Sequence, residues 1–330
     1  MAYDGKVMRQ AKLRFEADKQ RRAEEFARRR EAAFRAEPEL QRIDQELRRT
    51  VSHIITSALR RGSDPVPAVR VLQDENLELQ RRRAELLLAM GHPMDYLEEK
   101  PACDLCRDSG FCGERVCSCL QKYYNEQQKR ELSRMLDLGN QSFDTFSLDW
   151  YSTHVSDRLG CSAREQMEHA FETCSNFARR FGRHSDNLLL SGFPGVGKTF
   201  LSACIAREVT ERGFSVVYDT AASIFRSMED AQFHRGEEDD DATQRFLRCD
   251  LLIIDDLGTE MNSTFVQSAL YRLVNDRLLA GKSTVINTNL TPDQLGTRYS
   301  PAIFSRIEGQ YEILPCYGDD IRLLKRQSRN

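Results

Sequence analysis

No apolar run in this 330-residue chain approaches the roughly 18 residues that a membrane-spanning helix needs. Its opening stretch, "MAYDGKVMRQAKLRF", is charged and has no apolar core of the kind an export signal carries. Together these absences predict a cytoplasmic protein with no membrane partner. An excess of one charge is missing too: 48 Lys and Arg stand against 51 Asp and Glu, and a net charge of -3 creates no chain-wide field for nucleic acid. Contact with nucleic acid must therefore be local. No internal repeat is present. Cysteine is abundant by contrast, with ten in all and five of them between Cys103 and Cys119. A reducing compartment disfavours structural disulfides, so this cluster calls for metal binding or redox chemistry.

Texture divides the chain into a helical front and an α/β rear. Residues 1–35 are rich in charge and good helix formers, have no Gly or Pro after Gly5, and carry a thin apolar stripe of Phe15, Phe26 and Phe34. This predicts an exposed helix. From Leu40 to Leu59 the apolar residues Leu40, Ile43, Leu47, Val51, Ile54 and Ile55 recur at helical spacing. "RGSDPVP" breaks that helix, and Leu72, Leu79 and Leu86 then repeat every seven residues, with Val69 and Met90 completing a coiled-coil-like seam that "GHP" ends. The pair reads as an antiparallel hairpin, either a self-contained bundle or a surface for a partner. Boundaries follow as 1–100 for the helical partner-binding region, 101–120 for the cysteine segment, 121–159 for a helical linker and 160–330 for the α/β domain. Within the linker, "NQSFDTFSLDWYSTH" reads as a loop opening that last domain. The apolar runs "NLLLSG", "FSVVYD", "DLLIIDD" and "STVINTN" alternate there with helical segments, the pattern of a parallel sheet buried on both faces. The acidic run "GEEDDDATQ" reads as a solvated loop.

"NLLLSGFPGVGKTF" places Gly192, Gly197, Lys198 and Thr199 in the G-x-x-x-x-G-K-[ST] spacing, after a strand and before a helix. The loop backbone from Gly192 through Pro194, Gly195, Val196 and Gly197 to Phe200 would curl around the phosphates of ATP at a helix N-terminus, with N–H groups from all of these except Pro194. Lys198 would supply charge, and the Thr199 hydroxyl would bind Mg²⁺. "CDLLIIDDLGTE" ends a buried strand in two carboxylates. Asp255 is expected to hold Mg²⁺ and Asp256 to orient the attacking water, with Glu260 as a rival for the second role. Asn289, at the carboxyl end of "STVINTNL", is placed to meet the γ-phosphate or that water.

Cys103, Cys106, Cys117 and Cys119 form C-x2-C-x10-C-x-C, two close pairs around a loop with Gly110 and Gly113. Two pairs can wrap tetrahedral Zn²⁺ at about 2.3 Å per sulfur and organise a segment with few apolar residues. Cys112 remains an alternate thiol and His92 a remote ligand. Redox chemistry of the thioredoxin type lacks the strand it needs before the first pair. Cys161, Cys174, Cys204, Cys249 and Cys316 are scattered and read as packing residues.

The triple "GFPGVGKT", "LLIIDDLG" and "VINTNL", followed by "RYSPAIFSRIEG" and "GDDIRLLKR", resembles the AAA+ ATPase domain of the DnaC/DnaI helicase loaders and the related IstB transposition helpers, over about residues 140–330. The resemblance implies an AAA+ P-loop fold, with Arg306 as an arginine finger acting on a neighbouring subunit's nucleotide and Arg322 as the sensor-2 arginine acting in cis. Arg298 is the nearest substitute for the finger. A homo-oligomeric ring or spiral in the ATP state follows from a finger in trans. Asp256 departs from the Glu of most AAA+ enzymes, so slow hydrolysis is expected, and the few residues after Arg322 leave no room for a helical lid. Loaders of the DnaI type carry a similar cysteine cluster, and the family's partners are a DnaB-type replicative helicase and single-stranded DNA. For the DNA, the helix after "VVYDT" offers Ser223, Phe225 and Arg226. An IstB-like helper and a nucleotide-gated adaptor with little turnover are the alternatives.

Overall fold

A computed structural model describes residues 3–59, 66–136, 140–156, 160–182, 186–233 and 237–328, with side chains left out of account at 50–59, 66–75, 233 and 237–242. Two compact units are present: Arg14–Cys117, and Met1–Leu13 together with Ser118–Asn330.

The helices of the first region are α1 (Gly5–Ala36), α2 (Pro38–Leu59) and α3 (Val66–Ala89). Helix α1 is exposed through its middle, as expected, but Val7, Ala11, Phe15 and Ala33 near its two ends are buried. Helices α2 and α3 do form an antiparallel hairpin: Glu39 in the first turn of α2 accepts two hydrogen bonds from Arg82 near the end of α3, at 2.9 and 3.0 Å. Being exposed, this pair sets direction more than it adds stability. The hairpin cluster is Ala33, Leu40, Leu87 and Leu97, with Leu86 and Met90 only partly covered. The seam thus centres on Leu87, one position from the predicted heptad, because a helix turning once per 3.6 residues drifts off a strict seven-residue repeat. Val51, Ile54, Ile55, Val69 and Leu72 lie outside the described side chains, and the breaking turn lies largely outside the described residues. A two-residue hairpin, β1 (Phe111–Cys112) and β2 (Arg115–Val116), pairs Phe111 with Val116.

The second unit is three-layered. Its elements are α4 (Ser118–Ser133), two short 3-10 turns at 143–145 and 148–150, α5 (Ala163–Arg180), β3 (Leu188–Gly192), α6 (Lys198–Glu211), β4 (Val216–Thr220), α7 (Ala221–Phe233), α8 (Glu237–Arg248), β5 (Leu251–Leu257), α9 (Thr264–Leu279), β6 (Ser283–Thr288), α10 (Pro292–Arg298), α11 (Pro301–Gln310), β7 (Glu312–Cys316) and α12 (Ile321–Gln327). The five strands are all parallel in the order β4-β5-β6-β3-β7. Alternation sorts their side chains. Leu188, Leu190, Val216, Tyr218, Leu251, Ile253 and Val285 meet α5 and α6 on one face, while Leu189, Val217, Leu252, Ile254 and Ile286 meet α7 to α11 on the other. Both faces are buried, so the strands read as continuous apolar runs. Helix starts are written locally: Ser162 and Glu165 cap α5 reciprocally, as Thr291 and Gln294 cap α10, and Pro301 follows the N-cap Ser300 of α11.

Four features depart from the sequence reading. The acidic run is the start of α8 and not a loop: acidic residues suit a helix N-terminus, and the buried Arg277 guanidinium takes the carbonyls of Phe246 (2.6 Å) and Cys249 (3.1 Å) at its other end. Strand β7 was not expected because Pro315 interrupts it, which an outer strand tolerates. Phe225 is buried on the α7 side of the sheet and unavailable for stacking on a nucleic-acid base. The polar helix α4 carries a buried face of Leu120, Tyr124, Gln127, Gln128 and Leu132. Gln128 donates to Phe214 O (2.9 Å) and accepts from Val216 N (3.2 Å), completing the hydrogen bonding at the start of β4. The Tyr124 hydroxyl receives Asp4 N at 2.9 Å, which fastens the first turn of α1 to α4.

Candidate functional site

On the α5–α6 face each central strand turns from apolar to polar at its carboxyl end. The face of β5 runs Leu251, Ile253, Asp255; that of β6 runs Val285, Asn287 and leads on to Asn289; that of β3 runs Leu188, Leu190, Gly192. Polar groups are thus brought together where open parallel sheets bind ligands. From β3 the chain passes through residues 193–197 into α6. Gly197, the N-cap, has φ 102°, and a Cβ there would approach the Tyr151 hydroxyl to 2.8 Å. At Gly192 a Cβ would fall 2.0 Å from Cys316 O, so only glycine permits β7 to approach the end of β3.

Lys198 is buried, and its Nζ donates to Gly192 O (2.7 Å), Phe193 O (2.8 Å) and Asn289 Oδ1 (2.8 Å). Burial lowers its pKa, opposed by the negative charge of Asp255 and Asp256. Among the described residues no carboxylate lies within salt-bridge distance of this ammonium. A buried cation held by neutral oxygens alone is a fitting seat for an anion, and the adjoining N-terminus of α6 adds to the same field. The residues therefore fit a nucleotide's phosphates.

Asp255 is almost fully buried and both of its oxygens are engaged. Oδ1 accepts from Asn287 Nδ2 (2.9 Å) and Asp256 N (3.0 Å), and Oδ2 accepts from Thr199 Oγ1 (3.2 Å) and from the Tyr218 hydroxyl. A carboxylate beside a threonine hydroxyl is a hard oxygen pair that suits Mg²⁺. Asp256 is exposed and takes a left-handed conformation, φ 53°, which turns it off the strand. Partial burial, and then the charge of Asp255, raise its pKa. Glu260, the rival, is committed elsewhere: it is buried, accepts from Gly258 N at 2.9 Å and from the Tyr299 hydroxyl, and faces Arg298 at 3.8 Å.

A cavity of about 280 Å³ joins these groups to a wall that sequence reasoning missed. Phe146, Trp150 and Tyr151, from the presumed loop, line it together with Pro194, Gly195, Gly197, Lys198, Thr199, Phe200 and Asn289. Tyr151 donates to Val196 O at 2.9 Å, and Lys325 stacks over Trp150 at 5.6 Å. The aromatic clustering in "SFDTFSLDWY" was the available signal, but irregular turns leave no periodicity to place it. Arg322 lines the same cavity from α12. Arg306 does not: it lies on α11, bonded at 2.8 Å to the Tyr271 hydroxyl and stacked over that ring. Arg298 is tied to Glu260 of its own chain, which weakens it as a substitute finger.

Elsewhere, Cys103, Cys106, Cys117 and Cys119 bring their four sulfurs within 4.8 Å of one another. Cys103 Sγ and Cys117 Sγ are 3.7 Å apart. Sulfurs at about 2.3 Å from a tetrahedral Zn²⁺ would stand about 3.8 Å apart, so the set fits that ion. The turn is built by left-handed Arg107 and Asp108, φ 49° and 59°, with the Asp108 carboxylate receiving Ala102 N and Cys103 N at 3.0 Å each. Cys112 is exposed and outside the set, and His92 is stacked on Tyr96. Cys174, Cys204, Cys249 and Cys316 are buried; Cys161 is half-buried.

Fold and site together define a P-loop nucleotide-binding α/β domain. Residues 170–329 match the family model of IstB-like ATP binding proteins. The replicative helicase loader DnaC of Escherichia coli (strain K12) is 25% identical over 143 residues, which are 43% of this chain and 58% of DnaC. An insertion-sequence ATP-binding protein of Pseudomonas fluorescens is 30% identical over 119 residues, 35% of this chain and 48% of that relative. Among solved structures, a crystal structure of the DnaC helicase loader is 21% identical with a TM-score of 0.46, covering 55% of this chain and 99% of that one. The chain thus spans just over half the length of the DnaC it matches. Among the described residues no helix is long and apolar enough to cross a membrane.

Proposed function

We propose that the protein is a slow P-loop ATPase of the cytoplasm that loads a DnaB-type replicative helicase onto single-stranded DNA as a homo-oligomer. Residues 1–100 would hold the helicase, 101–120 a zinc-stabilised knuckle, 121–159 the linker and 160–330 the ATPase. The observation that carries the reading is one cavity in which the Lys198 cation, Asn289 and Arg322 converge, with Thr199 leading on to Asp255, in an ATP-binding domain similar to DnaC.

When bound, Mg²⁺ on ATP neutralises phosphate charge and favours in-line transfer of the γ-phosphoryl group to water. Lys198 exchanges its neutral oxygen partners for phosphate, while Asn289 stays beside it. Thr199 and Asp255 hold the metal side. Asp256, next in the chain and outside the buried network, accepts the proton of the attacking water. Arg322 adds positive charge in cis. Arg306, half-buried on α11 and outside the lining of its own cavity, serves a neighbour's. The IstB-like family match supports a second reading, a transposition helper of the same enzyme class.

Turnover by the full chain is expected to rise several-fold when single-stranded DNA and a DnaB-type helicase are supplied together, and Asp256→Asn should abolish the rise while sparing nucleotide binding. No stimulation, with an Asp256→Asn protein that still loads helicase, would leave a nucleotide-gated adaptor as the function.

A further inference from the structure

The Asp255 carboxylate is held by a polar chain that crosses four elements. Ser202, one turn beyond Thr199 on α6, donates to Asn287 Oδ1 at 2.9 Å; Asn287 donates to Asp255 Oδ1; and on the far side the Tyr218 hydroxyl reaches Oδ2. Ser202 and Asn287 are fully buried, and Asp255 and Tyr218 nearly so. The sheet register explains the reach. Thr220 pairs with Asp255 and Tyr218 with Ile253, so Tyr218 and Asp255 are diagonal neighbours on one face, a span that an aromatic side chain covers.

Tyr218 differs from the other donors to Asp255. Asp256 N is backbone, Thr199 would itself turn toward a metal, and Asn287 engages the opposite oxygen. Among the described residues, the phenol is the side-chain donor to Oδ2 other than Thr199 itself. Burial, and then the bond to Asp255, hold its pKa above the usual phenol value.

We propose that Tyr218 is a positioning residue for the divalent cation: its hydroxyl fixes the plane of the Asp255 carboxylate so that Oδ2 and Thr199 Oγ1 present a ready-made oxygen pair to Mg²⁺ on the nucleotide. This rests on the reading of the cavity as a magnesium-nucleotide site. Outer partners of metal-side ligands tune metal affinity without touching the metal. Removing the hydroxyl leaves the ring's packing on the α5–α6 face unchanged but frees the carboxylate to rotate.

The test compares full-length wild type with Tyr218→Phe by binding of a fluorescent ATP analogue, first in EDTA and then across a Mg²⁺ titration. In EDTA the two proteins should bind the analogue alike. The half-saturating Mg²⁺ concentration should be about tenfold higher in Tyr218→Phe, with a thermal midpoint within a few degrees of wild type confirming that the variant is folded. An unchanged Mg²⁺ requirement, or equal weakening with and without Mg²⁺, overturns the positioning role while leaving the nucleotide site intact. Wild-type binding that ignores Mg²⁺ overturns the magnesium-nucleotide reading and the positioning role with it.

Discussion

The sheet's carboxyl end and the cysteine knuckle both gather groups that cost free energy to bring together, and they manage it in opposite ways. At the sheet, Asp255 has four donors, Asn287 bridges Ser202 to it, and Lys198 has three oxygens. The surrounding core consists of two large clusters of aliphatic and aromatic residues. In the knuckle, residues 101–120, the buried apolar side chains are Cys106, Cys117 and Leu120. Two of these three are thiols, so the knuckle's core is the sulfur cluster itself. A polar site inside a large core can be prepared before its ligand arrives, since each leucine or isoleucine there adds about 2 kcal/mol. A segment with one buried aliphatic residue depends on the ligand, and structural zinc supplies about 10–16 kcal/mol in small domains.

Three experiments would break or sharpen this contrast. The largest effect is expected from Lys198→Ala, which removes a buried cation of the cavity. ATP affinity should fall about 100-fold, the scale of a charge-assisted contact made off water, with secondary structure preserved by circular dichroism. Retained binding would remove the P-loop from the account. Next, Cys117→Ser or chelation should release zinc and abolish hydrogen-exchange protection across residues 103–117, while ATP affinity changes less than about twofold, as expected for independent sites. Equal loss at both sites would show that the two regions are not separately stabilised. The smallest effect is expected from Trp150→Leu, with a loss of affinity of about threefold to tenfold, the worth of one aromatic contact. Trp150 is the single tryptophan, so wild-type emission should change on adding ATP, and a silent titration would place the nucleotide away from this wall.

What could be read from the sequence depended on whether a function is written in contiguous residues. The P-loop, the Asp255–Asp256 strand end and Asn289 each sit in one short motif whose spacing follows from backbone geometry. The four cysteines likewise needed only their pairwise spacing. Tyr218 was hidden because a strand residue that reaches an active group diagonally across the sheet looks like any other in "FSVVYD". Phe146 and Trp150 were hidden by irregular turns, and β7 by its proline. Phe225 failed for the converse reason: helical position suggested access, but the second core cluster claims it. Charge misled at α8, where acidic residues stood at the end of a helix that welcomes them.

The two outer strands carry a further consequence. Open parallel sheets invite strand addition, the route by which edges of one molecule recruit another and aggregate. Here the first rungs of β4 are already taken by the Gln128 carboxamide, which imitates a neighbouring backbone with one donor and one acceptor. On the opposite edge, Pro315 offers no N–H. Both margins are therefore poor templates for a stranger's backbone. Copies of this chain can crowd together at high local concentration with little risk that their sheets fuse.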